Sequence, residues 1–420
     1  MAVAAGSIAN TTAERRASIE SFLQLFSFAV LLLAAVLWAD RPRTMEKTDF
    51  SVTYIGCRMV HLGMGGKLYD LDEQRKLKRD LLPDAEPLLM FEHPPFEAFL
   101  LSPLGAIPYK WAYLLWGLIN IAVWLTLPFL LRPYSSAPRD ELAYLVLWLL
   151  FAPLGVALFQ GQSSLFVLLF YALAFVQLKR GRDFRAGALF GLALMKFQFA
   201  VPFVLILFLA RRWKFVKGFL VTGGALAAIS LYAVGWSGIV SYLHLLTNIS
   251  GHPDNASYGS AIGMATLQGL VHAMLGSVLA KSMVTAIVIG LSLGLIGWTA
   301  WLWCKVGRTA QEPAFDLMFS AAVVVSLVTG FHMFTHDLSP MMLAMLLVVA
   351  HFPQREQKWL RRIVAANLCL FWIPPLFFLL VARQSSYLWV PVLLAFLFAT
   401  AKHADNAGIA SQFRPQQAVS

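Results

Sequence analysis

The sequence alternates between long apolar blocks and shorter polar connections, several of which carry clusters of Lys and Arg. Most blocks contain roughly 20 residues, the length of an α-helix that crosses the hydrocarbon core of a bilayer. The pattern predicts an all-α polytopic membrane protein with about ten full spans. The predicted spans cover residues 21–38, 110–131, 142–159, 162–178, 215–234, 282–304, 315–331, 338–352, 361–382 and 386–401.

The apolar block at 185–210 departs from this pattern. Basic clusters at 179–182 and 211–214 flank it, and both look cytoplasmic, yet two full spans between them would need about 40 residues. We therefore predict a hairpin of two half-length helices with Lys196 near its tip; a single span is the alternative. Non-helical backbone and a charge at membrane depth require a water-filled or protein-lined cavity, so the tip is a candidate site.

The longest polar stretch, 40–108, follows the first span and predicts a large external loop. Ten of the 22 acidic residues lie in it, between Glu46 and Glu97. Helices are predicted inside it at 52–62 and 72–82. The stretch His93-Pro94-Pro95-Phe96 breaks any helix there, because proline lacks an amide donor and restricts the residue before it. A second external segment is predicted at 235–261, followed by a re-entrant or interfacial stretch at 264–279.

The two termini are predicted to be cytoplasmic. Arg15 and Arg16 precede the first span and favour a cytoplasmic tail at 1–19, a transmembrane domain at 20–401 and a polar, disordered cytoplasmic tail at 402–420. A cleavable signal peptide is the alternative for the first block. The residues 39–42 after it contain no small-residue cleavage site, which favours a retained helix.

Composition and charge exclude several classes of protein. Of the 420 residues, 59% are hydrophobic and 13% are charged, about half the charged fraction of a soluble chain. A cytosolic enzyme, a disulfide-rich secreted domain and a disordered chain are thereby excluded. The net charge of +11 comes from 33 basic and 22 acidic residues and is explained by basic cytoplasmic loops rather than by nucleic-acid binding. The three cysteines show no paired spacing for a metal or a disulfide.

Asp49 is the first candidate for chemistry. It follows the first span by about ten residues on the predicted external side, where a carboxylate can act as general base toward a hydroxyl. From the residues alone, an ordinary solvated carboxylate or the N-cap of a helix that begins at Phe50 is the stronger interpretation.

Lys196 is the second candidate, because apolar sequence surrounds it. A lysine at the centre of a span costs about 2.5–3.5 kcal/mol and therefore needs a partner or a role. An anionic phosphate in a lateral cavity is one partner, and snorkelling of the ammonium to an interface is the alternative.

A third candidate group lies at the external end of the span at 315–331. His332 and His336 are four residues apart and share one face if the segment is helical. The spacing suits zinc, but no glutamate follows His332, so hydrogen bonding to a phosphate or sugar is favoured over a metalloprotease. Interfacial residues that cap the helix end are the alternative. In the external loop, Arg58, His61, Glu92 and His93 can contact an anionic or sugar ligand.

Several short motifs follow one another along the chain in a characteristic order. They are Asp49-Phe50, Gly66-Lys67-Leu68-Tyr69-Asp70, Pro94-Pro95-Phe96 with Pro103-Leu104 and Pro108, Gly161-Gln162-Ser163-Ser164, Gly191-Leu192-Ala193, Lys196-Phe197-Gln198 and His336-Asp337-Leu338. Together they resemble glycosyltransferase family 87, a family of the GT-C class of membrane glycosyltransferases that includes polyprenol-phosphate-mannose-dependent mannosyltransferases. The chain departs from the usual family pattern at Phe197, where proline is frequent, and at Ser163, where asparagine is frequent.

The resemblance implies a GT-C-type fold and an inverting transfer of a sugar, with mannose expected, from a polyprenyl-phosphate donor to a lipid or glycan acceptor. Asp49 becomes the catalytic base. Substrate contacts are expected from Lys196, His332, His336, Arg58, His93 and Gln162. We expect no cofactor, no obligatory metal and no nucleic-acid partner; Asp70-Leu71-Asp72, the one Asp-x-Asp match, is interpreted as a surface turn. The expected location is the bacterial inner membrane, with the site facing the periplasm.

Two other functions remain open at this stage. A transporter or lipid-linked-glycan flippase would use Lys196 as a substrate or proton site. An O-antigen ligase or polymerase-like enzyme would keep glycolipid chemistry but use a pyrophosphate-linked glycan. The acidic external loop directly after the first span favours the glycosyltransferase.

Overall fold

A computed structural model describes residues 45–87, 89–136, 141–248, 263–306, 309–310, 312–351 and 358–412. The predicted N-terminal tail, the first span and residues 249–261 of the predicted second external segment lie outside these residues. The first part of that segment, 235–248, is helical rather than a loop. The described part is helical and contains no β-strand. The all-α fold predicted from the apolar blocks is therefore confirmed.

Seventeen helices, α1 to α17, form this part of the chain, with short 3-10 turns between them. In chain order they are Phe50–His61, Leu71–Leu81, Pro95–Leu100, Tyr109–Leu131, Glu141–Leu149, Ala152–Gln160, Ser164–Lys179, Asp183–Phe190, Phe197–Leu209, Trp213–Asn248, Leu267–Leu275, Lys281–Val306, Pro313–Val328, Met341–Ala350, Lys358–Trp372, Pro374–Ala382 and Trp389–Gln412.

Several of these helices can cross a membrane. Within the described residues, five helical segments are long and apolar enough, or up to seven if each of two bent helix pairs counts as one span. The bends measure 58° between α5 and α6 and 75° between α15 and α16. Shorter apolar helices, such as α7 and α13, accompany them. The chain is thus an integral membrane protein, and the count of about ten spans stays a prediction.

The segment at 183–209 passes the span criteria by length and composition, but its contacts show that it doubles back. The rings of Phe190 in α8 and Phe203 in α9 lie 4.7 Å apart, whereas a straight helix would separate these residues by about 20 Å. At the two ends of the segment, Arg212 lies 3.7 Å from Asp183. The 3-10 turn Gly191–Lys196 makes the reversal. The predicted hairpin with Lys196 at its tip is therefore confirmed.

Close backbone packing holds the hairpin against the next helix. The start of α10 lies against α8, where a Cβ atom on Gly187 would come within 1.8 Å of the Phe215 carbonyl oxygen. Because α10 begins just after α9 ends, this contact again puts the end of α9 beside the start of α8.

Ion pairs mark the end of the helical body where the hairpin opens. Lys179 donates to Asp316 at 2.8 Å, and His351 meets the second oxygen of that carboxylate at 2.7 Å. Lys179 and Ser164 lie at opposite ends of α7, so this cluster is about 22 Å from the hairpin tip, which contacts Ser164 through Asp337. The basic clusters at both ends of the hairpin share one end of the protein, as predicted.

The C-terminal helix is longer than expected. The last span was predicted to end at residue 401 before a disordered tail, but α17 continues to Gln412. Lys305 pairs with Asp405 at 2.7 Å, and His403 contacts the carbonyl oxygen of His351 at 2.8 Å. These tertiary contacts stabilise a polar helical extension that its composition alone does not favour.

The described part of the predicted external loop, from residue 45 onward, is ordered around short helices. The predicted helices at 52–62 and 72–82 are confirmed as α1 and α2. The prediction that Pro94 and Pro95 only break a helix was wrong, because α3 begins at Pro95. Proline is tolerated in the first helical turn, where its missing amide hydrogen would have no partner.

The loop packs on the second half of α10, which changes direction at Gly235. The rings of Tyr69 and Tyr242 lie 4.8 Å apart, and the hydroxyl of Ser230 accepts a hydrogen bond from the amide of Phe96. These contacts fix the loop on the helical body at the end where the hairpin tip lies.

Candidate functional site

Asp49 lies immediately before α1, and its side chain makes its hydrogen bond to another part of the chain rather than to this helix. It occupies the N-cap position, but no side-chain capping bond forms. Instead, Oδ2 accepts a hydrogen bond of 2.7 Å from Nε2 of Gln162. The carboxylate is 29% exposed, so it is neither a fully solvated loop carboxylate nor a helix cap. The two alternatives to a functional role for Asp49, a solvated carboxylate and a capping side chain, are therefore ruled out.

The turn between α6 and α7 holds Asp49 from two sides. The side-chain oxygen of Gln160 accepts from the Asp49 amide at 3.2 Å, while Gln162 donates to the carboxylate. Gly161 sits between them with φ of 65°, and a Cβ there would lie 2.7 Å from the Cβ of Phe50. Trp116 fixes the turn by donating to the Gly161 carbonyl at 2.7 Å. Glycine is required here both for the left-handed backbone and for the close approach.

Lys196 is buried and paired at the hairpin tip. Its Nζ donates to Asp337 Oδ1 at 2.5 Å and to Gln162 Oε1 at 3.0 Å. The side chains of Lys196 and Asp337 are 7% and 2% exposed, which rules out snorkelling to an interface. The predicted partner was a substrate phosphate; the structure supplies a protein carboxylate.

Asp337 is the site residue that sequence reasoning missed. Besides Lys196, it accepts from the hydroxyl of Ser164 at 2.8 Å and from the amide of Phe334 at 3.1 Å. A buried lysine calls for a counter-ion, and Asp337 borders an apolar block. Asp316 has the same sequence character, so the pattern alone could not decide between them.

His336 joins the same cluster, and His332 approaches it. The Nδ1 atom of His336 lies 3.9 Å from Asp49 Oδ2, and its Nε2 atom lies 3.4 Å from Asp337 Oδ2. The ring of His332 packs edge-on against Phe334. The two histidines would share one face only if the segment were helical, and it is not: the described helix before them ends at Val328, and Phe334 has extended backbone.

His93 comes from the external loop and is held by α3. Its Nδ1 atom lies 2.9 Å from Glu97 Oε1, and Tyr69 donates to its carbonyl at 2.7 Å. Burial tends to lower the pKa of His93, but the Glu97 carboxylate outweighs this and raises the pKa above its ordinary value. The Lys196 ammonium is near enough to oppose that rise, so His93 faces the same group of residues.

Arg58 has a different position from the other predicted contacts. Its Nη1 donates to the Gly105 carbonyl at 2.7 Å, which ties α1 to the turn before α4. Its recorded contacts do not join it to the Asp49 cluster. Gln162, Lys196 and His336 are thus brought together with Asp49, His93 lies within electrostatic reach, and Arg58 acts on the scaffold.

The arrangement combines one reachable carboxylate with one sequestered ion pair. Asp337 is neutralised by Lys196 and closed to solvent, and both of its oxygens already accept hydrogen bonds from the protein. Asp49 uses Oδ2 for Gln162, and within the described residues no contact is recorded for its Oδ1. Such a carboxylate can accept a proton from a hydroxyl placed against it. Nowhere in the described part of the chain do three or more His, Cys, Asp or Glu side chains form a group that could hold a metal ion.

The comparisons with known proteins decide the family. The family model described as Glycosyltransferase family 87 matches residues 91–330, which is 240 of the 420 residues. The chain belongs to glycosyltransferase family 87. The predicted resemblance is confirmed, and the protein is a membrane glycosyltransferase that acts on a sugar donor and an acceptor. No curated protein and no solved structure matches it.

The family 87 match covers part of the site. His93, Gln162 and Lys196 lie inside the matched residues, whereas Asp49 and Asp337 lie outside them. The polar contacts between Asp49, Gln162, Lys196 and Asp337 therefore join groups from within and beyond the matched segment.

Proposed function

We propose that this family 87 enzyme is an inverting glycosyltransferase that moves a sugar, with mannose the expected one, from a polyprenyl-phosphate donor to a lipid or glycan acceptor. Asp49 is the general base. The observation that carries the proposal is the state of the Asp49 carboxylate: Gln162 holds Oδ2, while Oδ1 remains able to take the proton of an acceptor hydroxyl. Loss of that proton makes the hydroxyl a better nucleophile toward the anomeric carbon.

The neighbouring groups suit a phosphate leaving group. Lys196, His332, His336 and His93 bring basic side chains to one place, and charge developing on a departing phosphate is stabilised by fixed donors of this kind. The Lys196 ammonium donates two of its three N–H groups to Asp337 and Gln162. One N–H remains for a phosphate oxygen.

A lipid-linked donor fits the surroundings of the site. The cluster lies at one end of a body of apolar helices, where a polyprenyl tail can stay in the bilayer while its phosphate reaches polar side chains. Binding both substrates at this boundary turns two encounters into one positioned displacement. We place the site on the periplasmic face of a bacterial inner membrane, because the basic clusters lie at the opposite end.

The rival function is a transporter or flippase with Lys196 as its substrate site. The charge of Lys196 is already neutralised by Asp337, so the lysine needs no transported ion or solute as its partner. A transporter moves a solute across sealed vesicles and forms no product in detergent.

The test is transfer of mannose from polyprenyl-phosphate mannose by the purified full chain in nanodiscs, with extracted envelope glycolipids as acceptors. Asp49→Asn and Asp49→Ala should reduce kcat by about 10²- to 10⁴-fold, the usual contribution of a general base. Asp72→Asn is the matched control, since Asp72 is an exposed carboxylate in the same loop. Transfer at a near-wild-type rate by Asp49→Asn would eliminate the proposed base.

A further inference from the structure

Glu97 is a buried carboxylate with an unusual lack of partners. Its side chain is 1% exposed, and its Oε2 atom is buried without a hydrogen-bond partner. Among the residues that the structure describes, the one polar contact of the carboxylate is His93 Nδ1 on the other oxygen, at 2.9 Å. A buried carboxylate without a compensating charge is strongly unfavourable. Within the described residues, the imidazole of His93 is the group placed to compensate that charge, which it does when it is protonated.

His93 is held in place by two hydrogen bonds that do not use its second nitrogen. Glu97 fixes Nδ1, and Tyr69 fixes the backbone carbonyl. The side chain remains 26% exposed, and no contact is recorded for Nε2 within the described residues. The Nε2–H group is thus an oriented donor with a positive charge behind it, available to a ligand.

His93 adds a donor that the Lys196–Asp337 pair does not. Lys196 is matched by Asp337, so the pair brings no net positive charge to a phosphate. His93 meets Glu97 through Nδ1, so its second nitrogen can donate to a phosphate on the other side of the ring. The groups that surround His93 electrostatically are Glu92 and Glu97 from the loop, Lys196 from the hairpin tip, and His332 and His336 before α14.

We propose that Glu97 is a positioning residue that keeps His93 protonated, and that His93 binds the phosphate of the lipid-linked donor and protonates it as it leaves. This inference rests on the proposed function, because it assumes a polyprenyl-phosphate donor. It gives the reaction an acid on the phosphate side to complement the base at Asp49.

The acceptor oxygen forms a bond to the anomeric carbon while its proton passes to Asp49 Oδ1. The bond between that carbon and the phosphate oxygen breaks, and its electron pair goes to the oxygen. His93 Nε2 gives its proton to the polyprenyl monophosphate, whose second ionisation lies near pH 6. Exchange with water then reprotonates His93 and deprotonates Asp49.

The experiment measures binding of a short-chain polyprenyl monophosphate, the proposed product, to the full chain in detergent across pH 5 to 9. In the wild type, affinity should fall as pH rises and His93 loses its proton. Glu97→Gln removes the charge behind His93, so the midpoint should move to lower pH by at least about one unit. At pH 7, both Glu97→Gln and His93→Gln should then bind roughly tenfold more weakly.

Two further variants make the result specific. Glu73→Gln removes a carboxylate of the same loop that pairs with Lys67 instead, and it should keep the wild-type midpoint. Asp49→Asn should bind the monophosphate normally while losing transfer. A folded Glu97→Gln protein, judged by its melting curve, is compared with His93→Gln, so that a folding defect in one variant leaves the other informative.

The outcomes separate the two proposals. If the wild type binds no polyprenyl monophosphate at any pH, the donor class is wrong and the proposed function fails with it. If the wild type binds but Glu97→Gln and His93→Gln retain its affinity and midpoint, the role of the Glu97–His93 pair is wrong and the donor class stands.

Discussion

Lys196 and Asp337 form a salt bridge of 2.5 Å although 141 residues separate them in the chain. The bond joins the tip of the hairpin to the turn before α14. Ser164 and Gln162, at the start of α7, add one hydrogen bond to each partner. Three separate parts of the chain therefore meet at a single buried ion pair beside Asp49.

Removing one member of this pair should be more damaging than removing both. Lys196→Met or Asp337→Asn leaves a buried charge alone, which costs about 3–5 kcal/mol. The double variant Lys196→Met with Asp337→Leu should recover much of that stability and remain inactive. Melting temperatures in detergent and transfer rates measure the two effects.

The ion pair of Lys179 and Asp316 supplies a control at the other end of the protein. Asp316→Asn should lower the melting temperature, because it leaves the partly buried Lys179 without its carboxylate. It should leave the KM for donor unchanged in the folded fraction. An equal loss of donor binding in Asp316→Asn and Asp337→Asn would contradict a local role for the hairpin-tip pair.

Replacing Gln162 with glutamate should shift the acid limb of the pH–rate profile. Gln162→Glu puts a second carboxylate beside Asp49 Oδ2, where Gln162 now donates. Two neighbouring negative charges oppose ionisation of the pair, so the acid limb of kcat/KM should move to higher pH by roughly one unit or more. Gln162→Met should lower the rate with no such movement. A Gln162→Glu profile that matches wild type would show that Asp49 is not the titrating base.

Gly161→Ala should impair both stability and transfer. The left-handed backbone at this residue costs about 1–3 kcal/mol for a side chain with Cβ, and the added methyl would press on Phe50. Gly155→Ala is the comparison, because that glycine lies in α6 with no atom within 4 Å of an added Cβ. Similar melting temperatures for the two variants would mean that the turn at Gly161 is not tightly constrained.

If residues 183–209 form a hairpin, a reagent should reach both of its ends from the same side of the membrane. Arg182→Cys and Lys214→Cys, placed singly in a chain with Cys57, Cys304 and Cys369 changed to Ser, should both react with a membrane-impermeant maleimide from one side of sealed vesicles. Labelling from opposite sides would establish a single span across 183–209.

The sequence predicted most of the long apolar helices and favoured the hairpin over a single span, because both follow from the lengths of apolar blocks and the positions of basic clusters. It also indicated Asp49 and Lys196, since a carboxylate after the first span and a lysine at membrane depth are unusual. It could not choose Asp337 over Asp316 as the partner of Lys196, because that choice depends on which turn packs against the hairpin tip.

Local sequence patterns gave the wrong secondary structure at two places where tertiary contacts determine it. The four-residue spacing of His332 and His336 suggested a helix, but the backbone between them is extended at Phe334, and only His336 reaches Asp49. Similarly, the tail after residue 401 is polar, yet the contacts of Asp405 and His403 support further helical turns.

The separation of Lys196 from Asp337 has a consequence for biogenesis. At a synthesis rate of about 5–20 residues per second, the lysine waits about 7 to 28 s for its counter-ion to be made. During this interval the acceptor already made is Gln162, which precedes Lys196 in the chain and accepts from it in the folded protein. A nascent or truncated chain that ends before Asp337 therefore carries an uncompensated charge at the hairpin tip.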